Sequence, residues 1–390
     1  MPGFEIIGKE EQEEINKIFE DGGILFAHGF DNIRNNRFRV REFENLFSKY
    51  LNVKYSQAVS SGTAALKCCL RALNIGPGDE VITQSFTFIA VAEAIIDVGA
   101  KPVFVNIDDT LNMNPDEIQS SITSNTKAIL MVHMLGVACQ QDKILDIAKK
   151  NNLKVIDDSC ESFGAEWSAE KLGIQADITA WSFDAGKTII TGEGGMVTTN
   201  DKELFLKVRE YHDHGHMYNN SFPRNLDTFR NIGFNYRMTE LQAAIGMAQL
   251  SKIKFILDQN KKNYSILYEI LSSIQGLYFR KIPVQCKPLN DSLIIKFDDV
   301  EQTKLCLEQF NKNRIFTKNV PDAIKWHFAT YWTHISEYTK LNNEELKEKL
   351  KKSSDIIDRC IALPIFIKTS EIEVKEKAEK AKEIISKIVN

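Results

Sequence analysis

The 390-residue sequence has no apolar run that approaches the length of a membrane-spanning helix. Its first residues also lack a charged leader followed by an apolar region, which a secretory signal would need. Acidic residues (53) and basic residues (49) nearly balance, and no basic stripe is interleaved with aromatic side chains. We therefore expect a cytoplasmic protein that binds neither membranes nor nucleic acid.

Paired cysteines are also missing. The seven cysteines are odd in number and lack the spacing of a zinc site or a redox motif. The segment His212-Asp-His-Gly-His216 has alternating histidines that resemble a set of metal ligands, but no cysteine or carboxylate cluster completes such a site. The sequence therefore predicts reduced, mostly buried thiols and no metal centre.

What is present between residues 55 and 200 is an alternation of short apolar segments with helical patterns. The apolar segments include residues 80–83, 102–106, 127–133, 153–157 and 178–183. Such alternation is typical of an α/β fold, in which a mostly parallel central sheet has helices on both faces.

The C-terminal part of the chain has a different pattern. A long amphipathic helical pattern over residues 239–271 precedes a strand pattern at 293–297 and a charged helical pattern at 371–389. These patterns are typical of a smaller C-terminal α+β domain. We predict a large domain over residues 1–250, with an N-terminal helical docking segment, and a bridging helix with a small domain over 251–390.

One lysine, Lys187, is placed on a loop between two predicted strands. The strand 178–183 precedes it, and the glycine-rich run 192–195 returns the chain to a short β-branched segment. A lysine on such a loop can be a nucleophile for a carbonyl carbon, although most lysines are simply solvated.

An anion site is indicated at the turn Ser61-Gly62-Thr63, between a strand and a helix-prone segment. Free backbone N–H groups and the positive end of the helix dipole favour an anion there, with the hydroxyls as extra donors. Taken alone, such a turn more often caps a helix without any ligand.

Two further features follow predicted strands. Asp157 and Asp158 end a strand at the sheet edge where such folds bind ligands, and either carboxylate can pair with a cationic ring nitrogen or cap the next helix. Phe86 and Phe88 can wall a flat ring or belong to the core. A loop lysine, an anion cradle, a strand-end aspartate and an aromatic wall together are the parts of a pyridoxal 5′-phosphate (PLP) site.

The motifs that carry these residues resemble the DegT/StrS family of sugar aminotransferases. They are Ser61-Gly-Thr-Ala-Ala-Leu66, Ser182-Phe183-x-x-x-Lys187 with Gly192-Glu-Gly-Gly195, Gly233-Phe-Asn-Tyr-Arg-Met-Thr-Glu-Leu-Gln-Ala-Ala244 and Ala362-Leu-Pro364. The resemblance implies the aspartate aminotransferase fold type, PLP fold type I. It also implies a homodimer with two active sites at the subunit interface.

Residue roles follow from the resemblance. It implies that Lys187 forms the Schiff base with PLP, that Asp158 rather than Asp157 meets the pyridine nitrogen, that Gly62, Thr63 and Ser182 hold the phosphate, that Phe88 stacks on the ring, and that Asn235 reaches the phosphate from the other subunit. Glu161 would lie near the phenolic oxygen, where the family usually has Gln or His. A desolvated site beside the cationic ring is expected to lower the pKa of Lys187.

The implied reaction transfers an amino group from glutamate to a keto or aldehyde sugar. The chain is similar, in segments 1–5, 132–136, 212–216 and 326–327, to a branch of the family that aminates 8-oxo-3-deoxy-manno-octulosonate for lipopolysaccharide, and this acceptor is the first expectation. The alternatives are a nucleotide-linked 3-keto or 4-keto hexose or, in another class, a PLP-binding regulator without turnover. The residues expected to bind the substrate, each with a structural role as the alternative, are His214, His216, Arg237 and His327.

Overall fold

A computed structural model describes residues 3–219, 221–339 and 341–389 of the chain. Its α-helices are α1 (Lys9–Glu20), α2 (Arg39–Leu51), α3 (Gly62–Ala72), α4 (Ala90–Asp97), α5 (Ile118–Ser121), α6 (Gln141–Lys150), α7 (Lys202–Tyr211), α8 (Glu240–Ser251), α9 (Ile253–Leu271), α10 (Val300–Lys312), α11 (Asn319–Asp322), α12 (Ile324–His327), α13 (Asn343–Lys349), α14 (Lys351–Ile357) and α15 (Glu371–Val389). Short 3₁₀ segments lie at Gly3–Ile6, Pro115–Glu117, Met134–Gly136, Arg224–Leu226, Ala329–Tyr331 and Thr333–Tyr338. No helix within the described residues is long and apolar enough to cross a bilayer.

The strands form three sheets. They are β1 (Tyr55–Val59), β2 (Glu80–Gln84), β3 (Lys101–Val105), β4 (Thr126–Val132), β5 (Lys154–Asp158), β6 (Glu166–Trp167), β7 (Glu170–Lys171), β8 (Ile178–Ser182), β9 (Gly195–Thr199), β10 (Tyr278–Phe279), β11 (Cys286–Lys287), β12 (Ser292–Lys296) and β13 (Cys360–Pro364). The central sheet has seven strands in the order β1-β9-β8-β5-β4-β2-β3. Only β9 runs against its neighbours in this sheet, so the predicted mostly parallel sheet is confirmed.

Both faces of the central sheet are buried. In β4, Leu130 and Val132 pack into a core shared with α3 and α4, whereas Ile129 and Met131 pack into a second core shared with α6. Neighbouring residues of a strand point to opposite faces, so a strand covered on both sides has to be apolar throughout. This explains the unbroken apolar run that marks β4 in the sequence.

The two N-terminal helices cover one end of this sheet. Both α1 and α2 pack against α8, and α2 also contacts β1. Gly246 in α8 permits this contact, since a Cβ atom there would lie 2.6 Å from the ring of Phe43 in α2. Both helices thus lie against the large domain, and their role as a docking segment stays a prediction.

The helical stretch predicted over residues 239–271 is two helices rather than one. Thr239 caps α8 in a reciprocal arrangement with Gln242, and α8 ends before Lys252. The Lys252 amide bonds to the carbonyl of Gln249, three residues back, and its ammonium group bonds to the Glu11 carboxylate of α1. The break thus turns α9 away from α8 at a residue that is anchored to the N-terminal helix.

The C-terminal part forms a further core, separate from the two on the faces of the central sheet. The antiparallel sheet β10-β12-β13 is packed against α9, α10 and α15, around Leu293, Ile295 and Phe297. A third, small sheet joins β11 to β6 across the proposed domain boundary. The boundary after residue 250 stays a prediction.

All seven cysteines are free thiols. Cys160 is half-buried and the other six are buried. Burial raises the pKa of each thiol, which keeps the reactive thiolate form scarce near neutral pH.

Candidate active site

A cavity of about 820 Å³ opens at the carboxyl ends of β1, β4, β5 and β8. Parallel sheets of α/β proteins bind their ligands at this edge. The sequence-predicted residues that line the cavity are Gly62, Thr63, Phe88, Asp158, Glu161, Ser182, Lys187 and His327. The fold thus brings most of the predicted site together within one chain.

Lys187 lies on the loop between β8 and β9, as predicted. The loop is closed by two backbone bonds, from the Phe183 amide to the Gly194 carbonyl (2.9 Å) and from the Thr191 amide to the Phe183 carbonyl (2.9 Å). Gly192 supplies a positive φ of 84° where the chain turns back. A loop tied in this way holds the lysine side chain toward the cavity.

Glu161 is the charged partner of Lys187. Its Oε1 lies 3.5 Å from the lysine Nζ, and its Oε2 accepts a bond from the Leu135 amide at 3.1 Å. Burial favours a raised pKa for Glu161, but the positive charges of Lys187, His327 and Lys318, together with the bond from the Leu135 amide, outweigh burial, so the pKa falls to about 2. Glu161 is therefore ionised at neutral pH.

The same pair determines the state of Lys187. Burial favours a lowered pKa for Lys187, but the negative charges around it, of which Glu161 contributes most and Asp158 less, together outweigh burial and raise the pKa. The chain's own residues thus do not produce the lowered pKa that was expected for this lysine. These residues instead favour the protonated ammonium form of Lys187.

The start of α3 forms the predicted anion cradle. Ser61 caps the helix by accepting a bond from the Ala64 amide at 3.1 Å. A Cβ atom on Gly62 would lie 2.7 Å from the Cβ of Ser182, so glycine is what lets α3 approach the end of β8 this closely. First-turn amides have no acceptor within their own helix, and here they sit beside the hydroxyls of Thr63 and Ser182. This arrangement suits a phosphate group.

Asp157 and Asp158 point to opposite faces of the sheet. The Asp157 carboxylate contacts His133 Nε2 (3.1 Å) and accepts from the Ser159 hydroxyl (2.7 Å), away from the cavity. Asp158 faces the cavity, and its carboxylate accepts a bond from the Cys160 amide at 3.0 Å. Burial raises the pKa of Asp158, so a cationic ligand group beside it would stabilise its ionised form.

Of the two aromatic residues after β2, one also faces the core and the other the cavity. Phe86 is fully buried in the core, whereas the ring of Phe88 is 43% exposed and lines the cavity. The Phe88 ring centroid lies 5.3 Å from that of His327. His327 Nδ1 contacts the Ala323 carbonyl at 2.8 Å, so the histidine is fixed by its own helix beside the cavity.

The remaining predicted residues lie elsewhere in the chain. Arg237 donates to the buried carboxylate of Asp213 at 2.5 Å, and His216 lies 3.5 Å from the Asp227 carboxylate. His214 and Asn235 are exposed. None of these four lines the cavity of its own chain, and their roles stay predictions that require a second subunit.

The histidines of residues 212–216 do not converge. The His212 ring contacts the Arg209 carbonyl, 2.6 Å from its Nδ1, whereas His216 Nδ1 lies beside the Asp227 carboxylate. Across residues 3–219, 221–339 and 341–389, no group of three or more His, Cys, Asp or Glu side chains is placed to hold a metal ion.

Several cavity residues were missed by the sequence reasoning. Asp291, Lys318 and Asn319 enter the cavity from the C-terminal part, and Phe4 enters it from the N-terminal segment. The Gly3 amide, next to Phe4, bonds to the carbonyl of Lys187 at 3.2 Å. These residues carry no motif, and only the tertiary fold places them here.

The cavity lining fits PLP. The amides at the start of α3 suit its phosphate, buried Asp158 suits a cationic ring nitrogen, Lys187 suits its carbonyl carbon, and Phe88 offers a flat wall. Two of these fits rest on residues with an unfavourable setting of their own, the buried carboxylate of Asp158 and the closely approached Gly62. This applies most to Gly62, because any side chain there would fill the cradle.

Comparison with known proteins gives a family match. The chain matches the model of the DegT/DnrJ/EryC1/StrS aminotransferase family over residues 9–382. It is 45% identical over 215 residues to GDP-perosamine synthase of Caulobacter vibrioides, covering 55% of this chain and 57% of that protein, which is less than two thirds of its length. It is 37% identical over 272 residues to dTDP-3-amino-3,6-dideoxy-alpha-D-galactopyranose transaminase of Aneurinibacillus thermoaerophilus, covering 69% of each.

Solved structures give the same answer for the fold. An aminotransferase from Psychrobacter cryohalolentis superposes with a TM-score of 0.87 at 26% sequence identity, with 98% of each chain covered. A Helicobacter pylori aminotransferase of pseudoaminic acid biosynthesis superposes with a TM-score of 0.85 at 24% identity, over 98% of this chain and 97% of that one. The predicted α/β fold class is confirmed.

Proposed function

We propose, because the chain belongs to the DegT/DnrJ/EryC1/StrS aminotransferase family, that it transfers an amino group from glutamate to a nucleotide-linked 3-keto or 4-keto hexose. Members of this family depend on PLP. The observation that carries the proposal is the convergence of Lys187, Asp158 and the start of α3 on one cavity. We further propose a homodimer in which Asn235 completes the site of the other subunit.

Each residue then has a chemical task. PLP, when bound, supplies an electron sink for the α-carbon of an amino donor. Asp158 would keep a positive charge on the ring nitrogen, and the amides of α3 with Ser182 would hold the phosphate. Lys187 would bind the cofactor's carbonyl carbon and, as a free amine, would carry a proton to and from the reacting carbon.

Glu161 would control the proton on Lys187. Since its carboxylate lies 3.5 Å from Nζ, it stabilises the ammonium form after the lysine has taken a proton. The lysine must become neutral before it can accept the next one. We propose that the positive charge on the ring nitrogen beside Asp158 shifts this balance toward the neutral amine.

Two acceptors follow from different observations. The two relatives are named for nucleotide-linked amino sugars, which supports the hexose. The first expectation, 8-oxo-3-deoxy-manno-octulosonate, gains no support from these relatives and rests on the segments 1–5, 132–136, 212–216 and 326–327. We therefore place the octulosonate second.

The donor half of the reaction tests the enzyme class. Glutamate added to the PLP-loaded protein is expected to convert its absorption to that of pyridoxamine phosphate. Lys187→Ala should abolish this conversion, whereas Lys254→Ala, at a lysine whose side chain is 87% exposed on α9, should leave it unchanged. A spectrum that stays silent with glutamate would favour a PLP-binding regulator instead.

The acceptor can be identified by running the second half in reverse. GDP-perosamine, dTDP-3-amino-3,6-dideoxygalactose and 8-amino-3,8-dideoxy-manno-octulosonate are offered in turn as amino donors to the PLP form. We expect a nucleotide-linked amino sugar to give the conversion. Conversion by the octulosonate alone would reverse the order of the two acceptors.

A further inference from the structure

A buried ion pair stands in the cavity apart from the residues assigned to PLP. Lys318 Nζ lies 2.5 Å from Asp291 Oδ2, and the two side chains are only 9% and 8% exposed. Both residues line the cavity. The Lys318 amide bonds to the Ala362 carbonyl of β13, and Asp291 directly precedes β12, so the C-terminal sheet fixes both.

Stability alone is a weak reason for such a pair. Removing two charges from water costs about as much as their attraction returns, and apolar residues of similar volume often stabilise a protein as well or better. A charged pair facing a large cavity therefore points toward a ligand. Its unused hydrogen-bonding capacity shows which kind.

The pair offers both donors and acceptors to the cavity. A lysine ammonium has three N–H donors, and Asp291 takes one of those of Lys318. Asp291 Oδ1 accepts from the Ser292 hydroxyl at 3.1 Å, and each carboxylate oxygen can accept a second bond. Next to them, the side-chain Nδ2 of Asn319 lies 3.3 Å from His327 Nε2, and these two residues continue the polar lining of the cavity.

Charge decides between the classes of ligand. The pair is neutral overall, so it attracts an anion only weakly, and an incoming carboxylate would meet both Asp291 and the ionised Glu161. A sugar hydroxyl can donate to Asp291 while a neighbouring one accepts from Lys318. Neutral hydroxyl groups therefore suit this pair better than the carboxylates of an amino acid.

We infer that Lys318 and Asp291 bind hydroxyl groups of the acceptor sugar and determine specificity in the second half of the reaction. The inference rests on the proposed function. According to this inference, Lys318 and Asp291 contact the acceptor sugar and contact neither PLP nor the glutamate donor.

The two half-reactions are measured separately in a variant that removes both charges, Lys318→Met/Asp291→Leu, so that neither is left buried alone. Conversion by glutamate is expected to stay within about twofold of wild type, because the variant keeps Lys187, which lowers the pKa of Glu161 more than Lys318 does. Conversion by the amino sugar that serves the wild-type protein should slow at least about tenfold at low sugar concentration, which matches the loss of one hydrogen bond to a charged group. Saturation kinetics should place most of the loss in the apparent dissociation constant of the sugar.

A matched control is the pair Lys296 and Asp109, 2.7 Å apart and outside the cavity lining. Lys296→Met/Asp109→Leu should leave both half-reactions unchanged. The inference is overturned if the cavity variant slows the glutamate half as much as the sugar half, or slows neither. Failure of glutamate to convert the wild-type protein would instead refute the proposed function.

Discussion

Adjacent residues at the end of β5 have opposite surroundings because a strand alternates its side chains. Asp157 faces the core beneath the sheet and is held by His133 and Ser159, whereas Asp158 faces the cavity. His133 Nδ1 accepts a bond from the Cys139 amide at 3.1 Å, so its proton resides on Nε2 and is donated to Asp157. Both carboxylate oxygens of Asp157 therefore accept hydrogen bonds within the core.

The two aspartates should respond differently to the same substitution. Asp158→Asn is expected to lower turnover at least about a hundredfold, because a neutral amide cannot balance the charge of a cationic ring nitrogen. The free energy of unfolding should change little. Asp157→Asn should cost about 1–3 kcal/mol of stability, since it weakens two buried bonds, while the folded enzyme keeps most of its activity. Steady-state kinetics and urea unfolding of both variants measure this, and the opposite pattern would make Asp157 the ring partner.

At the scale of elements, the start of α2 is held by a carboxylate from outside the helix. Glu240, at the start of α8, accepts from the amides of Arg39 (2.6 Å) and Val40 (3.3 Å), which begin α2. It also pairs with Arg34 at 3.0 Å. The apolar spacing predicted this helix, but a cap supplied from 200 residues away could not be predicted from local sequence.

Glu44 ties α2 to the first strand of the sheet. Its Oε1 accepts from the Ala58 amide (2.8 Å) and from the Gln57 side chain (2.7 Å). Burial raises the pKa of Glu44 from 4.5 to about 7. Since the folded protein holds this proton more tightly than the unfolded chain, Glu44 reduces stability progressively as the pH rises from about 4.5 to 7.

Glu44→Gln should remove this pH dependence, since the amide oxygen keeps both hydrogen bonds without a charge. We expect the variant to match wild type near pH 4 and to exceed it by about 1–2 kcal/mol above pH 7.5, a value reduced for partial contact with water. Urea unfolding across this range measures the difference. Glu13→Gln on α1, whose side chain is 56% exposed, serves as the control, and an offset independent of pH would contradict the assignment.

At the scale of the whole molecule, the sequence predicted the part of the site that depends on strand ends. Ser182, Asp158 and the turn before α3 converge because parallel strands deliver their carboxyl ends to one edge. Asp291 and Lys318 could not be predicted, since they meet only after the C-terminal sheet has packed against the large one.

The proposed dimer can be tested by complementation. If Asn235 serves the other subunit, Lys187→Ala and Asn235→Asp are each inactive, the second because its carboxylate repels the phosphate. A mixed dimer retains one intact site of two, so the isolated mixed dimer should have about half of the wild-type activity per subunit, and the unsorted random mixture about a quarter. Coexpression with two different affinity tags isolates the mixed dimer, and no recovery would place Asn235 in its own subunit's site.

The protected thiols make the protein a convenient substrate for labelling. Because six thiols are buried and the half-buried Cys160 has a raised pKa, a cysteine introduced at Val284, which is 99% exposed, would be the preferred target for a maleimide dye. One fluorophore per chain then permits subunits to be counted by stepwise photobleaching of single assemblies.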